Sequence, residues 1–431
     1  MSASGLVARR AALDLLDSVL RRARPLDQAL ARSSAFAALE PRDRAFARHL
    51  VATALRRLGQ IDGLLAACLE KPVKARQSRL EDLLRLGACQ LAFLRTPPHA
   101  AVSTTMALAG ENRLTGAKSL INAVLRRLSR EAETLLAAQD AARLNTPDWL
   151  WNSWIGAYGE DTARQIAEAH LAEPPLDITV QGKRDLLVKR LGALELPSGS
   201  LRLPGGQRDV TRLPGYAEGQ WWVQDGAAAW PAQLFGDVSG RQVIDLCAAP
   251  GGKTAQLAAA GAQVTAVERA KERLGQLTEN LTRLGLSART VIADGTFWRP
   301  ETLADGVLLD APCTATGTLR RHPDIAHLKS ARDVAAVARA QDRLLAAALE
   351  MVRPGGLLVY ATCSLQPEEG PERIAALLAA GAPVERVPVS AEELGGLSAA
   401  VTAEGDLRTL PCHLADQGGL DGFYACRLRR L

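Results

Sequence analysis

The sequence has no run of about 18 uncharged apolar residues, so nothing in it reads as a membrane-spanning helix. Its opening residues, Met1 to Arg10, lack the apolar core of roughly 7–15 residues that a secretory signal needs. Its seven cysteines are Cys68, Cys89, Cys247, Cys313, Cys363, Cys412 and Cys426. An odd number, wide spacing and no Cys-x-x-Cys exclude a disulfide framework and a zinc knuckle. The six histidines are scattered without ligand spacing, so no metal site is expected. Free thiols point to a reducing, cytoplasmic setting. There is no internal repeat and no low-complexity tract.

What is present is an ordinary globular composition over 431 residues, with 47% apolar and 23% charged residues. The length fits about three domains. The net charge of +5 is unevenly spread. Residues 1–140 carry 22 Lys and Arg against 13 Asp and Glu, a net of +9, and the remainder is net −4. A basic first third points to a polyanion partner, whereas the plain alternative is a solvated basic helical surface.

Residues 1–140 read as all-helical. Apolar stripes at helical spacing run through Ala12, Leu15, Leu16, Val19 and Leu20, through Leu80 to Leu94, and through Ile121, Val124, Leu125 and Leu128. Arg126, Arg127 and Arg130 lie on the opposite side of the last stripe, and Arg44 and Arg48 are one turn apart on another helix. Arginine suits phosphate because its planar fork donates parallel hydrogen bonds. Residues 141–220 read as a small α+β connector: Asn145-Thr-Pro-Asp148 opens a helix, Trp149, Trp151 and Trp154 cluster, and Leu176–Val180 alternates like a strand.

From about residue 221 to 431, strands and helices alternate. Strands are expected at 242–246, 264–268, 290–294, 307–310 and 357–361, with helices at 271–284 and 334–352. Alternating βα units imply an α/β, doubly wound parallel sheet whose ligand sits beyond the carboxyl ends of its strands. Asp245, Glu268, Asp294 and Asp310 fall at those ends, lining the expected site with hydrogen-bond acceptors.

The turn Asp245-Leu-Cys-Ala-Ala-Pro-Gly-Gly-Lys-Thr254 nearly matches a phosphate loop, but Cys247 stands where that motif needs its leading glycine. It also lacks G-x-G-x-x-G. A tight turn that lets backbone approach a bulky ligand remains, with Glu268 placed to accept from a ribose diol. A nucleoside ligand without polyphosphate fits, and S-adenosylmethionine, whose sulfonium favours acidic walls, is such a ligand.

Two cysteines follow neighbouring strands, in Asp310-Ala-Pro-Cys313 and Ala361-Thr-Cys-Ser364. Methylating cytosine at C5 gives two of them work. C5 is a poor nucleophile until a thiolate adds to C6, and a second group must then assist release. Asp310 is placed to stabilise the base, with Lys253 orienting it.

At these residues the chain resembles bacterial RNA cytosine-C5 methyltransferases. The matching stretches are Asp245–Thr254, Asp310-Ala-Pro-Cys-Thr-Ala-Thr-Gly317 with Arg320-Arg-His-Pro-Asp-Ile325, Tyr360-Ala-Thr-Cys-Ser364 with Pro367-Glu-Glu369, and Asp421-Gly-Phe-Tyr424. The first third, including Leu39-Glu-Pro-Arg-Asp-Arg-Ala-Phe46, resembles the NusB fold. The combination resembles the arrangement of 16S rRNA cytosine-C5 methyltransferases of the RsmB (Sun/Fmu) type.

The resemblance implies a Rossmann-like methyltransferase domain over 221–431 behind a NusB-like domain and a small connector. It implies Cys363 as nucleophile and Cys313 in product release. It also implies S-adenosylmethionine contacts from Cys247, Ala248, Ala249, Pro250, Gly251, Gly252, Lys253, Glu268, Asp294 and Asp310. Arg320, Arg321 and His322 join the basic residues above as expected RNA contacts. A monomer acting on 16S rRNA is expected. The alternatives are a tRNA substrate, or an antitermination-type RNA-binding protein with a vestigial catalytic domain. The sequence departs from the family at Gly370, where Asn is usual and where a looser support behind Cys363 is expected, and at Thr179-Val180-Gln181, in place of Arg-Val-Asn.

Overall fold

A computed structural model describes residues 3–182, 184–205 and 209–431. The chain forms two compact units: residues 1–173 together with 319–329, and residues 174–318 together with 330–431. The segment expected as a connector is therefore shared. Its helices at 148–170 pack with the first unit because Leu150, Trp154 and Ile166 are buried, whereas its strands start the second.

The first unit is helical. Its main helices are Ala3–Leu20, Pro41–Arg56, Leu58–Cys68, Ser78–Ala92, Pro98–Glu111 and Lys118–Ala137, followed by Asp148–Tyr158 and Glu160–His170. The apolar stripes of the sequence meet in one core around Leu13, Leu16, Leu50, Ile61, Leu83, Leu84, Ile121 and Leu125. Gly87 has no room for a side chain, since a Cβ there would stand 2.8 Å from Leu125. Arg85 crosses from one helix to the next in a bidentate pair with Asp62, at 2.7 and 2.8 Å.

Residues 319–329 belong to this unit through specific bonds. Asp324 accepts from the Leu26 amide at 2.9 Å, Arg56 donates to the Arg320 carbonyl at 2.8 Å, and the His327 ring nitrogen lies 2.9 Å from the Leu55 carbonyl. Leu328 packs on the core.

The second unit begins with a small antiparallel sheet of β1 (Leu176–Val180), β2 (Leu194–Glu195), β3 (Leu201–Leu203) and β4 (Trp221–Val223), in the order β2-β3-β1-β4. Asp177 and Arg202 form a buried bidentate pair across it, at 2.7 and 2.8 Å. Gln181, at the departure from the family pattern, spends its amide on the carbonyls of Gly219 and Leu284.

The main sheet contains β5 (Gln242–Leu246), β6 (Gln263–Glu268), β7 (Arg289–Ile292), β8 (Ala304–Asp310), β9 (Val352–Thr362), β10 (Val384–Arg386), β11 (Leu407–Arg408) and β12 (Tyr424–Arg430). Its order is β10-β12-β9-β8-β5-β6-β7, with β11 paired to β12. Strands β5 to β9 are parallel, whereas β12 runs antiparallel to both β9 and β10. Burial on both faces explains runs such as Val-Leu-Leu and Leu-Leu-Val-Tyr. The order reverses beside β5, between β6 on one side and β8 on the other, which opens the crevice where such sheets bind ligands. The helix expected at 334–352 spans Ala331–Met351 and starts one turn earlier, at a capping box made by Ser330 and Asp333.

Candidate active site

The turn after β5 curls because two residues adopt left-handed backbone. Cys247 has φ 60° and Gly251 has φ 101°. Gly251 is required twice over, since a Cβ there would also stand 2.8 Å from Leu277. The helix Gly252–Ala259 follows and aims Lys253 and Thr254 back at the strand ends.

Four of the expected acidic and basic residues converge here. Lys253 Nζ donates to Asp310 Oδ2 at 2.7 Å and lies 5.0 Å over the Phe423 ring. Burial works against the Lys253 ammonium, but Asp310 and Cys363 more than offset it and hold its pKa above the ordinary value. Asp245 is fully buried and accepts from Thr254 Oγ1 at 2.5 Å. Burial, aided by Asp310 and Glu268 and opposed by Thr254 and Lys253, pushes the Asp245 carboxyl up to about 7. Glu268, at the end of β6, accepts from the Ala270 amide at 3.0 Å. Asp294 lies two residues past β7, exposed, where it accepts from the Thr296 amide at 2.9 Å.

The two sulfurs expected to share one reaction are in contact, with Cys313 Sγ 3.3 Å from Cys363 Sγ. Strands β8 and β9 bring them together. Their ladder ends at Asp310 opposite Ala361, and the Ala311 amide then donates to the Ala361 carbonyl at 2.8 Å. The loop carrying Cys313 returns so that the Gly317 amide donates to the Cys363 carbonyl at 2.9 Å. Gly317 permits this, because a Cβ there would fall 1.9 Å from the Gly422 carbonyl oxygen.

The Cys363 hydrogen bond, together with burial, drives the Cys313 thiol well above its ordinary pKa. Cys313 therefore holds its proton in the free protein. Cys247, a third cysteine nearby, is pushed up to about 12 by burial and by the carboxylates of Glu268, Asp310 and Asp245, which makes it an inert wall.

Residues that sequence reasoning did not assign stand behind the sulfurs. Glu369 accepts from the Thr314 amide at 2.8 Å, from the Thr314 hydroxyl at 2.5 Å and from the Ser364 hydroxyl. Arg408 donates to the Ser364 carbonyl at 2.6 Å. Gly370 does not leave the support loose as expected. A Cβ at Gly370 would stand 3.0 Å from both Arg408 and the Tyr424 ring, so those side chains fill the space. The sequence signal for Glu369 was its place in Pro367-Glu-Glu369, three residues beyond the strand-end loop.

The expected RNA contacts divide. Arg44, Arg48, Arg126, Arg127 and Arg130 are exposed on the helical unit. Arg127 pairs with Glu131 at 2.8 Å and Arg126 with Asn122 at 3.1 Å. Arg321 is half-buried, and His322 Nδ1 lies 3.4 Å from Asp27. Arg320 corrects the expectation. It is only 1% exposed, whereas Arg321 and His322 beside it remain partly exposed.

A family model described as 16S rRNA methyltransferase RsmB/F matches residues 233–429, and one described as the NusB family matches residues 6–130. A Vibrio cholerae protein named ribosomal RNA small subunit methyltransferase B is 36% identical over 405 residues, 90% of this chain and 89% of that one. The Pseudomonas putida protein of the same name is 37% identical over 411 residues, 91% of this chain and 92% of its own. This chain belongs to that family.

Among solved structures, PH0851 aligns over the whole of both chains with a TM-score of 0.75 at 21% identity, a likeness of fold. A methyltransferase homolog from Pyrococcus horikoshii aligns over 65% of this chain and 94% of its own, with a TM-score of 0.54 at 27% identity.

The family member is thus an S-adenosylmethionine-dependent methyltransferase with a NusB domain ahead of a Rossmann-like one. The site suits that cofactor on its own terms. Asp245 Oδ1 and Glu268 Oε2 are buried and accept no hydrogen bond, with Arg273 at 3.4 Å the cation beside Glu268. Buried acceptors ordinarily find donors, and a cationic nucleoside brings both donors and charge. Among the described residues, no group of three or more His, Cys, Asp or Glu is arranged to hold a metal ion, and no helix is long and apolar enough to cross a membrane.

Proposed function

We propose that this chain methylates C5 of a cytosine in 16S rRNA through a covalent bond between Cys363 and C6 of the base. The observation that carries the reading is the pair of sulfurs in contact beside the Lys253–Asp310 ion pair. The relatives' printed name supports a small-subunit ribosomal RNA substrate.

S-adenosylmethionine, when bound, supplies an electrophilic methyl group. The cofactor is held by the turn from Cys247 to Lys253 with Glu268, Asp294 and Asp310, and Asp245 adds a buried acceptor. Cys363 gives its proton to water and attacks as the thiolate. The S–C6 bond forms and the C5=C6 electrons move onto C5, making it nucleophilic. Asp310 faces the base and accepts from its exocyclic amine, and the Lys253 ammonium paired with Asp310 offsets the negative charge that develops on the ring.

Once C5 carries the methyl group, its proton must leave so that C5=C6 can re-form and expel the Cys363 sulfur. Cys313 takes that proton. In the free protein its acidity is suppressed first by the hydrogen bond with Cys363, then by burial and by the Cys363 charge. Bonding of Cys363 to C6 removes the first and third of these causes. Cys313 therefore gives up its own proton to water more readily in the adduct, when a base is needed.

The target base must leave its stack to reach the sulfurs. The exposed arginines of the helical unit provide phosphate attraction that weakens with salt. Bisulfite sequencing of RNA from cells with and without the gene tests the reading. Loss of one 5-methylcytosine in 16S rRNA is expected. Loss in tRNA alone overturns the substrate, and no loss anywhere overturns the activity.

A further inference from the structure

The sulfur contact lies beyond the strand ladder, so the parallel pairing of β8 and β9 does not itself fix it. The last ladder pair is Asp310 with Ala361, two residues short of Cys363 and three short of Cys313. One side chain reaches the neighbours of both cysteines. Thr314 follows Cys313, Ser364 follows Cys363, and both bond to the buried carboxylate of Glu369.

The carboxylate is itself fixed. Its backbone carbonyl accepts from the Tyr360 hydroxyl at 2.8 Å, on the strand that leads to Cys363. Thr316 Oγ1 lies 3.2 Å from Ser364 Oγ and accepts from the Leu365 amide at 3.0 Å, which closes a network between the two loops. No polar atom of Glu369 has a bond pointing toward either sulfur among the bonds of the described residues.

We propose that Glu369 is a positioning residue that sets the distance between the Cys313 and Cys363 sulfurs by tying together the residues that follow them. The proposal rests on the two-cysteine reading of the function. A buried carboxylate with three donors is a stiff link, because each donor it loses leaves a charge in a low-dielectric interior without compensation.

The test needs neither RNA nor cofactor. The full-length protein is equilibrated in mixtures of reduced and oxidised glutathione, alkylated, and the Cys313–Cys363 disulfide measured by mass spectrometry. Two thiols lose two protons and two electrons, and one oxidised glutathione becomes two reduced ones. The equilibrium constant is the effective concentration of one sulfur at the other. Circular dichroism confirms that each variant is folded at the temperature used.

Glu369→Ala should lower the constant about tenfold, the factor that follows from one lost charged hydrogen bond. Glu369→Gln keeps an acceptor for the Thr314 amide and a polar end for the hydroxyls, so it should stay within about threefold of wild type. A purely structural role would lower the melting temperature of both without separating them in this constant. An unchanged constant in Glu369→Ala, equal losses in both variants, or a wild-type pair that forms no disulfide overturns the proposal.

If Glu369→Ala does not fold, Thr314→Val and Ser364→Ala carry the test. Each should lower the constant about threefold, and unchanged values overturn the clamp. The two readings fail separately. A protein that forms no RNA adduct but loses sulfur proximity in Glu369→Ala refutes the function and leaves the clamp standing.

Discussion

Asp245→Asn should make the cofactor-free protein more stable and the cofactor weaker, and pH should separate the two effects. Burial carries the Asp245 carboxyl from an ordinary 3.8 up to about 7. Below pH 3.8 the carboxyl is protonated in folded and unfolded chains alike, and its relative stability is fully present. As pH rises from there to 7, the unfolded chain releases its proton and the folded one keeps it, so stability falls. Above 7 the loss is complete, at about 4 kcal/mol.

Asn carries no such titration and still accepts from the Thr254 hydroxyl. Groups that do not interact with Asp245 titrate alike in both proteins and cancel in the difference, and the influence of Asp310, Glu268 and Lys253 is already contained in the raised Asp245 pKa. The stability gap in favour of Asp245→Asn should therefore widen by about 2.5 kcal/mol between pH 5 and pH 8. Urea unfolding of both proteins at the two pH values, without cofactor, measures it. A gap that stays constant or narrows would refute the assignment of a desolvated, destabilised carboxyl. Calorimetric binding should move the other way. S-adenosylmethionine affinity of the wild type should rise as pH passes through about 7, and that of Asp245→Asn should be weaker and flat there.

Three further outcomes follow from particular contacts. Gly317→Ala drives a Cβ into the Gly422 carbonyl and toward the Cys363 carbonyl, so it should cost about 1–3 kcal/mol and most of the methyl-transfer rate, measured by unfolding and single-turnover assays. Replacing Arg126, Arg127 and Arg130 together by Glu should weaken RNA binding, reduce its log–log salt slope by about 2–3, and leave cofactor affinity unchanged in filter-binding and calorimetry; an unchanged salt slope would remove this face from the RNA contact. Asp324→Ala leaves the Leu26 amide without its partner, so the helical unit should lose about 1–3 kcal/mol in thermal unfolding.

The last of these also bears on truncation. Deleting residues 1–140 removes the Leu26, Leu55 and Arg56 partners of residues 319–329, so surface charge reversal is the cleaner test of RNA binding.

The central strands were legible because burial on both faces leaves short apolar runs that stop at an acidic residue, as in Val243-Ile244-Asp245 and Val307-Leu308-Leu309-Asp310. The site loop was legible because glycines and an odd cysteine at a strand end are unusual together. Strand β9 was only partly so. It begins at Val352 and runs through Pro354, Gly355 and Gly356, residues that locally argue for a turn. The edge strands β10 and β11 are two or three residues long and carry no periodicity.

Arg320-Arg-His-Pro-Asp-Ile325 conceals the burial of Arg320 and Asp324 for a different reason. Its charges look like a surface, but Asp324 bonds to Leu26, 298 residues away, and no local pattern records that pairing. Glu369 was hidden in the same way, as one of two adjacent acids whose burial depends on Thr314 and Ser364.

The most direct measurement of the central claim is a denaturing gel of protein incubated with 16S rRNA and S-adenosylmethionine. Cys313→Ala should accumulate an RNA–protein species that survives denaturation, and Cys363→Ala and the double variant should form none. A covalent species that persists in Cys363→Ala would contradict the assignment of the nucleophile and the mechanism built on it.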